Sequence, residues 1–148
     1  MDIVARLQSL PVGRFHYKLL VLVGLGWLFD AMDTGMVSFV LATLGKEWGL
    51  SPKELGWVVS IGFVGMAIGA VMGGRTADKI GRKTVFAVSL MVYSIATALC
   101  AVAPDLGWLL VFRFIVGIGL GGQLPVAVTL VSEYVPAHVR GRFIVLLE

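Results

Sequence analysis

Four apolar stretches, each near the length of a bilayer crossing, constrain this chain more than anything else in it. They cover about residues 19–44, 55–74, 84–103 and 107–131, and only short polar segments separate them. About 20 apolar residues in a helix cross the roughly 30 Å hydrocarbon core of a membrane. With no water there to satisfy backbone groups, such runs must be helical. The expected fold class is therefore all-α, a polytopic transmembrane bundle, with residues 143–148 opening a fifth span. Composition agrees: the 148 residues are 58% hydrophobic and 14% charged, where a soluble domain carries about a quarter charged residues. Mean hydropathy is +0.94.

The connecting segments orient the bundle. Residues 74–83 read Gly-Arg-Thr-Ala-Asp-Lys-Ile-Gly-Arg-Lys, with four cations, one carboxylate and two glycines. Charge this dense cannot lie in hydrocarbon, so a short polar hairpin is expected between the second and third spans. Short loops rich in Lys and Arg stay in the cytoplasm. On that rule, Arg6, Arg14, Lys18, Arg75, Lys79, Arg82, Lys83, Arg140 and Arg142 fall inside, and only Lys46 and Lys53 fall outside. The expectation is a multi-pass protein of the cell membrane with a cytoplasmic N-terminus. The net charge of +3 does not indicate nucleic acid, because the cations sit at span ends rather than on one basic face.

Local signals mark the remaining boundaries. Ser51, Pro52 and Glu54 form a capping box with proline at the first helical position, opening the second span. Pro104 and Asp105 mark a tight outer turn, and residues 132–142 mark another polar hairpin. The first apolar run is too long for a signal-peptide core and contains two aspartates. Residues 1–10 form either an amphipathic surface helix or a disordered leader. One cysteine, Cys100, permits no intramolecular disulfide. No metal-ligand cluster, nucleophile elbow or phosphate loop is present, so neither an enzyme nor a cofactor site is expected.

Three ionisable groups inside spans carry the functional reading. Asp30 and Asp33 lie within the first span, where each ionised carboxylate costs about 2.5–3.5 kcal/mol at a helix centre. At i and i+3 they share one face, which should point into the bundle or a wet cavity. Repulsion between two carboxylates in low dielectric allows one of them to hold a proton near neutral pH. Arg113 is the cation inside a span. At 1.5 Å per residue, Asp33 lies about 10 Å below the outer surface and Arg113 about 9 Å. An Asp33–Arg113 pair is expected, one that changes partner when the carboxylate takes a proton. Snorkelling of Arg113 to the outer interface is the alternative.

The spacing G-x-x-x-D-K-x-G-R-K resembles the loop between helices two and three of the major facilitator superfamily of secondary transporters. Gly74, Asp78, Lys79, Gly81, Arg82 and Lys83 fill its main positions. Arg113, Gly117, Gly119 and Gly121 are similar to R-x-x-x-G-x-G-x-G in the fourth helix of the sugar porters, where a first-helix aspartate couples to that arginine. The pair Asp30 and Asp33 looks closer to the aromatic-acid proton symporters and niacin permeases. Pro125 comes about one turn earlier than in the sugar porters. Glu133, Pro136, Arg140 and Gly141 resemble E-x-x-P-x-x-x-R-G, where charges of two cytoplasmic loops latch the inward gate; the resemblance assigns Asp78, Arg82, Glu133 and Arg140 to such a latch. It implies twelve helices in two halves with the transport path between them.

Residues 1–148 are accordingly expected to be the N-terminal part of such a transporter, inactive without the missing C-terminal half. The implied partners are a proton, the lipid bilayer and a small-molecule substrate. An organic acid, nicotinate-like or benzoate-like, is favoured over a sugar or polyol, and drug efflux comes third. Gln123, Trp27 and Tyr93 are candidates to face the cavity and bind it. Glycines at 65, 69 and 73 mark a close helix contact, a stripe expected to slide against a helix of the missing half in the whole protein. A non-transporting assembly or regulatory subunit is the reading from a different class.

Overall fold

The computed structural model describes residues 13–147, and the expected amphipathic or disordered segment at residues 1–10 lies outside them. Five helices follow one another: α1 (Arg14–Glu47), α2 (Pro52–Ile80), α3 (Arg82–Cys100), α4 (Leu106–Tyr134) and α5 (Ala137–Leu147). There is no strand among the described residues. The first four are long and apolar enough to cross a membrane.

Each boundary has a local cause. Ser51 caps α2: its hydroxyl accepts the Glu54 N–H at 3.4 Å, while the Glu54 carboxylate accepts the Ser51 N–H at 2.7 Å. Asp105 caps α4 by accepting the Trp108 N–H at 3.0 Å. At the end of α1, Gly49 takes φ +64° and Leu50 donates to the Gly45 carbonyl at 3.1 Å. That is the left-handed glycine closure of a helix C-terminus.

Two connections are tighter than expected. The polar hairpin at 74–83 is almost entirely helical: α2 continues through Ile80 and α3 begins at Arg82. Only Gly81, at φ +92°, is needed to reverse the chain, because a residue without a Cβ adopts that backbone freely. Charge bars these residues from hydrocarbon but not from a helix that projects beyond it. Likewise residues 132–142 are not a polar loop, since α4 runs to Tyr134 and α5 starts at Ala137. Val135 is extended, as expected for the residue before Pro136. The fifth helix thus begins six residues before the expected position 143. The third span ends earlier than expected, at Cys100 instead of 103.

Helix α4 is the centre of the bundle and is mostly buried, whereas α1, α2 and α3 each leave most of their apolar surface exposed. It lies between α2 and α3, and small residues permit the approach. A Cβ on Gly69 of α2 would meet the Ile118 carbonyl, and one on Gly121 of α4 would meet the Met66 carbonyl. Backbone lies against backbone along this seam. The glycine stripe of α2 is therefore occupied by α4 of the same chain, not left open for a helix elsewhere. Helix α1 meets α4 differently, through side chains: Val23 and Trp27 near one end, Leu41 near the other.

Candidate functional site

The structure joins two of the three ionisable residues within the spans. The Arg113 guanidinium donates to Asp33 Oδ2 at 3.1 Å, across the seam between α1 and α4. The side chains are 14% and 12% exposed, so both charges are largely withdrawn from solvent. Removing one partner of such a pair leaves an uncompensated charge, a penalty of about 3–5 kcal/mol. Asp30 lies one turn before Asp33 and is half-buried. Its backbone carbonyl accepts the Thr34 hydroxyl at 3.1 Å.

Tyr93 reaches the same turn from α3. Its hydroxyl donates to the Phe29 carbonyl at 3.3 Å. The ring is buried among Ala96, Val116 and Leu120. Tyr93 is therefore packed between the described helices with its polar end on α1. Gln123 is buried as well, at 1% exposure. Its amide lies against Gly26 of α1, where a Cβ would come within 2.5 Å of Nε2. Its Oε1 has no hydrogen-bond partner among the described residues, and neither has the buried Nε1 of Trp27. Trp27 is half-buried against the cluster of Val23, Ala127 and Leu130. The three residues expected to face a cavity thus occupy the seams between α1, α3 and α4. Sequence does not separate cavity from seam, since both call for a polar group on an apolar helix.

At the other end of the bundle, Arg82 links three helical segments. Its Nε lies 2.8 Å from Glu133 at the end of α4, and its NH2 group lies 3.6 Å from Asp78 in the last turns of α2. Arg82 is 29% exposed, Glu133 50% and Asp78 71%. Solvent screens such pairs, which contribute about 0–1 kcal/mol each. Arg140, expected in the same group, is exposed and makes no ion pair among the described residues. Lys79 and Lys83 are exposed too, and Gly74 lies inside α2 with open space where a side chain would project. Of that motif, Asp78, Gly81 and Arg82 have defined structural roles.

Two features have no counterpart in the sequence reading. One is the contact of Tyr93 with a main-chain carbonyl, for which no side-chain pattern gives a signal. The other is the observed partner of the α2 glycines, α4 of the same chain in place of the expected helix of a missing half. Gly117 and Gly121 repeat at i and i+4 on α4, and this spacing matches Gly65, Gly69 and Gly73. That matching spacing is present in the sequence, but the pairing of the two helices is shown only by the structure.

Known proteins match this sequence along nearly the whole chain. The niacin transporter NiaP of Acinetobacter baylyi is 70% identical over 148 residues, 100% of this chain and 34% of that protein. The putative niacin/nicotinamide transporter NiaP of Bacillus subtilis is 54% identical over 131 residues, 88% of this chain and 33% of the relative. The 4-hydroxybenzoate transporter PcaK of Acinetobacter baylyi is 39% identical over 140 residues, 95% and 31% respectively. The chain spans about a third of the length of these relatives. Residues 23–148 match the Major Facilitator Superfamily. With helices fit to cross a membrane and a match over most of its length, the chain belongs to the Major Facilitator Superfamily, a family of membrane transporters rather than enzymes.

Proposed function

We propose that these helices are the first third of a proton-coupled symporter for a small aromatic carboxylate such as nicotinate. The observation that carries this reading is the Asp33–Arg113 pair, 3.1 Å apart and largely buried inside helices fit to span a bilayer. A buried ion pair is costly to maintain and does little for stability that apolar packing would not do. Coupling accounts for its presence. A carboxylate that takes a proton releases its arginine, and so loosens α1 from α4 once per cycle. Asp30, one turn away, is the second carboxylate of this coupling group. The relatives named for niacin and 4-hydroxybenzoate transport supply the substrate class.

In this mechanism the N-terminus is cytoplasmic and the protein resides in the cell membrane. Arg82, held between Glu133 and Asp78, latches the cytoplasmic ends of α2, α3 and α4. Arg140 joins that latch only in another state. The second wall of the path comes from a C-terminal half, so these 148 residues alone do not transport. Trp27 stacks on the aromatic ring, and Gln123 reaches substrate when α1 parts from α4.

The test is uptake of labelled nicotinate into proteoliposomes carrying the intact transporter, across an imposed pH gradient. Accumulation above the equilibrium level is expected for the unaltered protein. Asp33→Asn should abolish accumulation while leaving membrane insertion intact. Persistent uphill uptake by Asp33→Asn would remove Asp33 from the coupling step.

A further inference from the structure

We propose that Tyr93 is a positioning residue for the Asp33–Arg113 pair, holding the turn of α1 that presents Asp33. The proposal rests on the coupling role of Asp33 given above. Within α1 the Phe29 carbonyl accepts the Asp33 N–H, by the i to i−4 pattern of an α-helix. Tyr93 donates its hydroxyl to that same carbonyl at 3.3 Å, from a residue 64 positions away in sequence. One peptide group is thus bonded both to the Asp33 backbone and to α3, while the Asp33 side chain is bonded to α4 through Arg113. The turn is held from two sides.

Tyr93 is suited to that role because it is itself held fast. It is 7% exposed and packed with Ala96, Val116 and Leu120. Its backbone lies directly against Gly119 of α4, where a Cβ would come within 2.8 Å of the Tyr93 nitrogen. Gly119 lies less than two turns from Arg113 on the same helix. Tyr93 and Arg113 are therefore fixed to one framework, α3 packed on α4, and α1 is the element presented to it. The single donor hydrogen of the Tyr93 hydroxyl goes to a main-chain carbonyl, so it is not free to bind a substrate carboxylate at the same time.

The charged and titratable groups around Asp33 are Asp30 on α1, Arg113 on α4, and Tyr93 and Cys100 on α3. The charged residues of α2 lie in its first or last two turns. A change confined to the Tyr93 hydroxyl should therefore reach the pH dependence of transport through Asp33 rather than through a distant charge.

The experiment is nicotinate uptake by the intact transporter in proteoliposomes, measured against pH for four proteins: unaltered, Tyr93→Phe, Asp33→Asn and the double variant. Tyr93→Phe keeps the ring and its packing. Its uptake midpoint should move by about half a pH unit or more, the scale of one lost hydrogen bond. KM should stay within about twofold, since uniform substrate binding is untouched. In nicotinate exchange, which needs no net proton movement, Tyr93→Phe should add nothing in the Asp33→Asn background, the sign of two residues acting as one unit. An unmoved midpoint with a lower maximal rate overturns the proposal in favour of simple packing. A KM raised about tenfold at an unmoved midpoint overturns it in favour of substrate contact. If Tyr93→Phe yields no folded transporter, 3-fluorotyrosine at that position keeps ring and hydroxyl while strengthening the donor, and the midpoint must still move. Should Asp33→Asn keep uphill uptake, the coupling reading falls; should only Tyr93→Phe leave the midpoint in place, the positioning role alone falls.

Discussion

The seams that α4 makes with α2 and with α1 are built from opposite materials. Against α2 the contact is glycine on main chain: Gly65, Gly69 and Gly73 from one side, Gly117 and Gly121 from the other. Against α1 it is made by side-chain tips, namely Arg113 on Asp33, Gln123 beside Gly26, and Val23 and Leu41 in small apolar clusters. The first seam has nothing that can change charge, and it shuts with almost no slack. The second holds a largely buried ion pair, Arg113 on Asp33. A helix pair meant to stay together is served by close dispersion contact, which has no alternative state. A pair meant to separate needs a contact whose strength can be altered without unfolding either helix.

The largest expected effect tests the seam that carries the ion pair. Arg113→Leu leaves Asp33 buried without a partner, and should cost about 3–5 kcal/mol of stability in detergent unfolding. The double variant Asp33→Asn with Arg113→Leu should recover most of that loss, since no charge is then stranded. If the double variant is as unstable as Arg113→Leu, the pair is not the bond that joins α1 to α4.

The rigid seam comes next. Gly69→Val places a branched side chain against the Ile118 carbonyl, and should cost about 1–3 kcal/mol or more by overpacking. Thermal unfolding of the purified protein reads this directly. A tolerated valine would mean that α2 and α4 are not in fixed contact.

The same chemistry at another depth sharpens the contrast. Arg82→Gln removes the solvent-screened pairs with Glu133 and Asp78, and unfolding should change by only about 0–2 kcal/mol for the two together. Its effect on the balance between open and closed forms should be the larger one, read as altered accessibility of a reporter thiol at the α2–α3 end. Smallest of all, Gly35→Ala on α1 meets open space, and should be neutral or stabilise the helix by up to about 1 kcal/mol. Side by side with Gly69→Val, it measures how much of a glycine's cost belongs to its seam.

Much of this is legible in the residues. Helix number, the capping box at Ser51, and the common depth of Asp33 and Arg113 all follow from local chemistry or from 1.5 Å per residue. The helical form of residues 74–83 is not legible there, because charge says where a segment lies relative to lipid and not how its backbone is wound. The partner of the α2 glycines escapes for a related reason. Small residues announce a close contact and leave the identity of the other helix open.

By itself, then, the chain's order of residues dictates four crossings, their caps, and a carboxylate and a guanidinium held at one level, because hydrogen bonding in hydrocarbon and the length of a helix leave few choices. Which helix stands at the centre was decided by packing. So was the burial of Tyr93 and Gln123 in the seams between helices, and so was the sharing of Arg82 between Glu133 and Asp78. These depend on how helices distant in sequence are rotated against one another, and rotation is settled only when their surfaces meet.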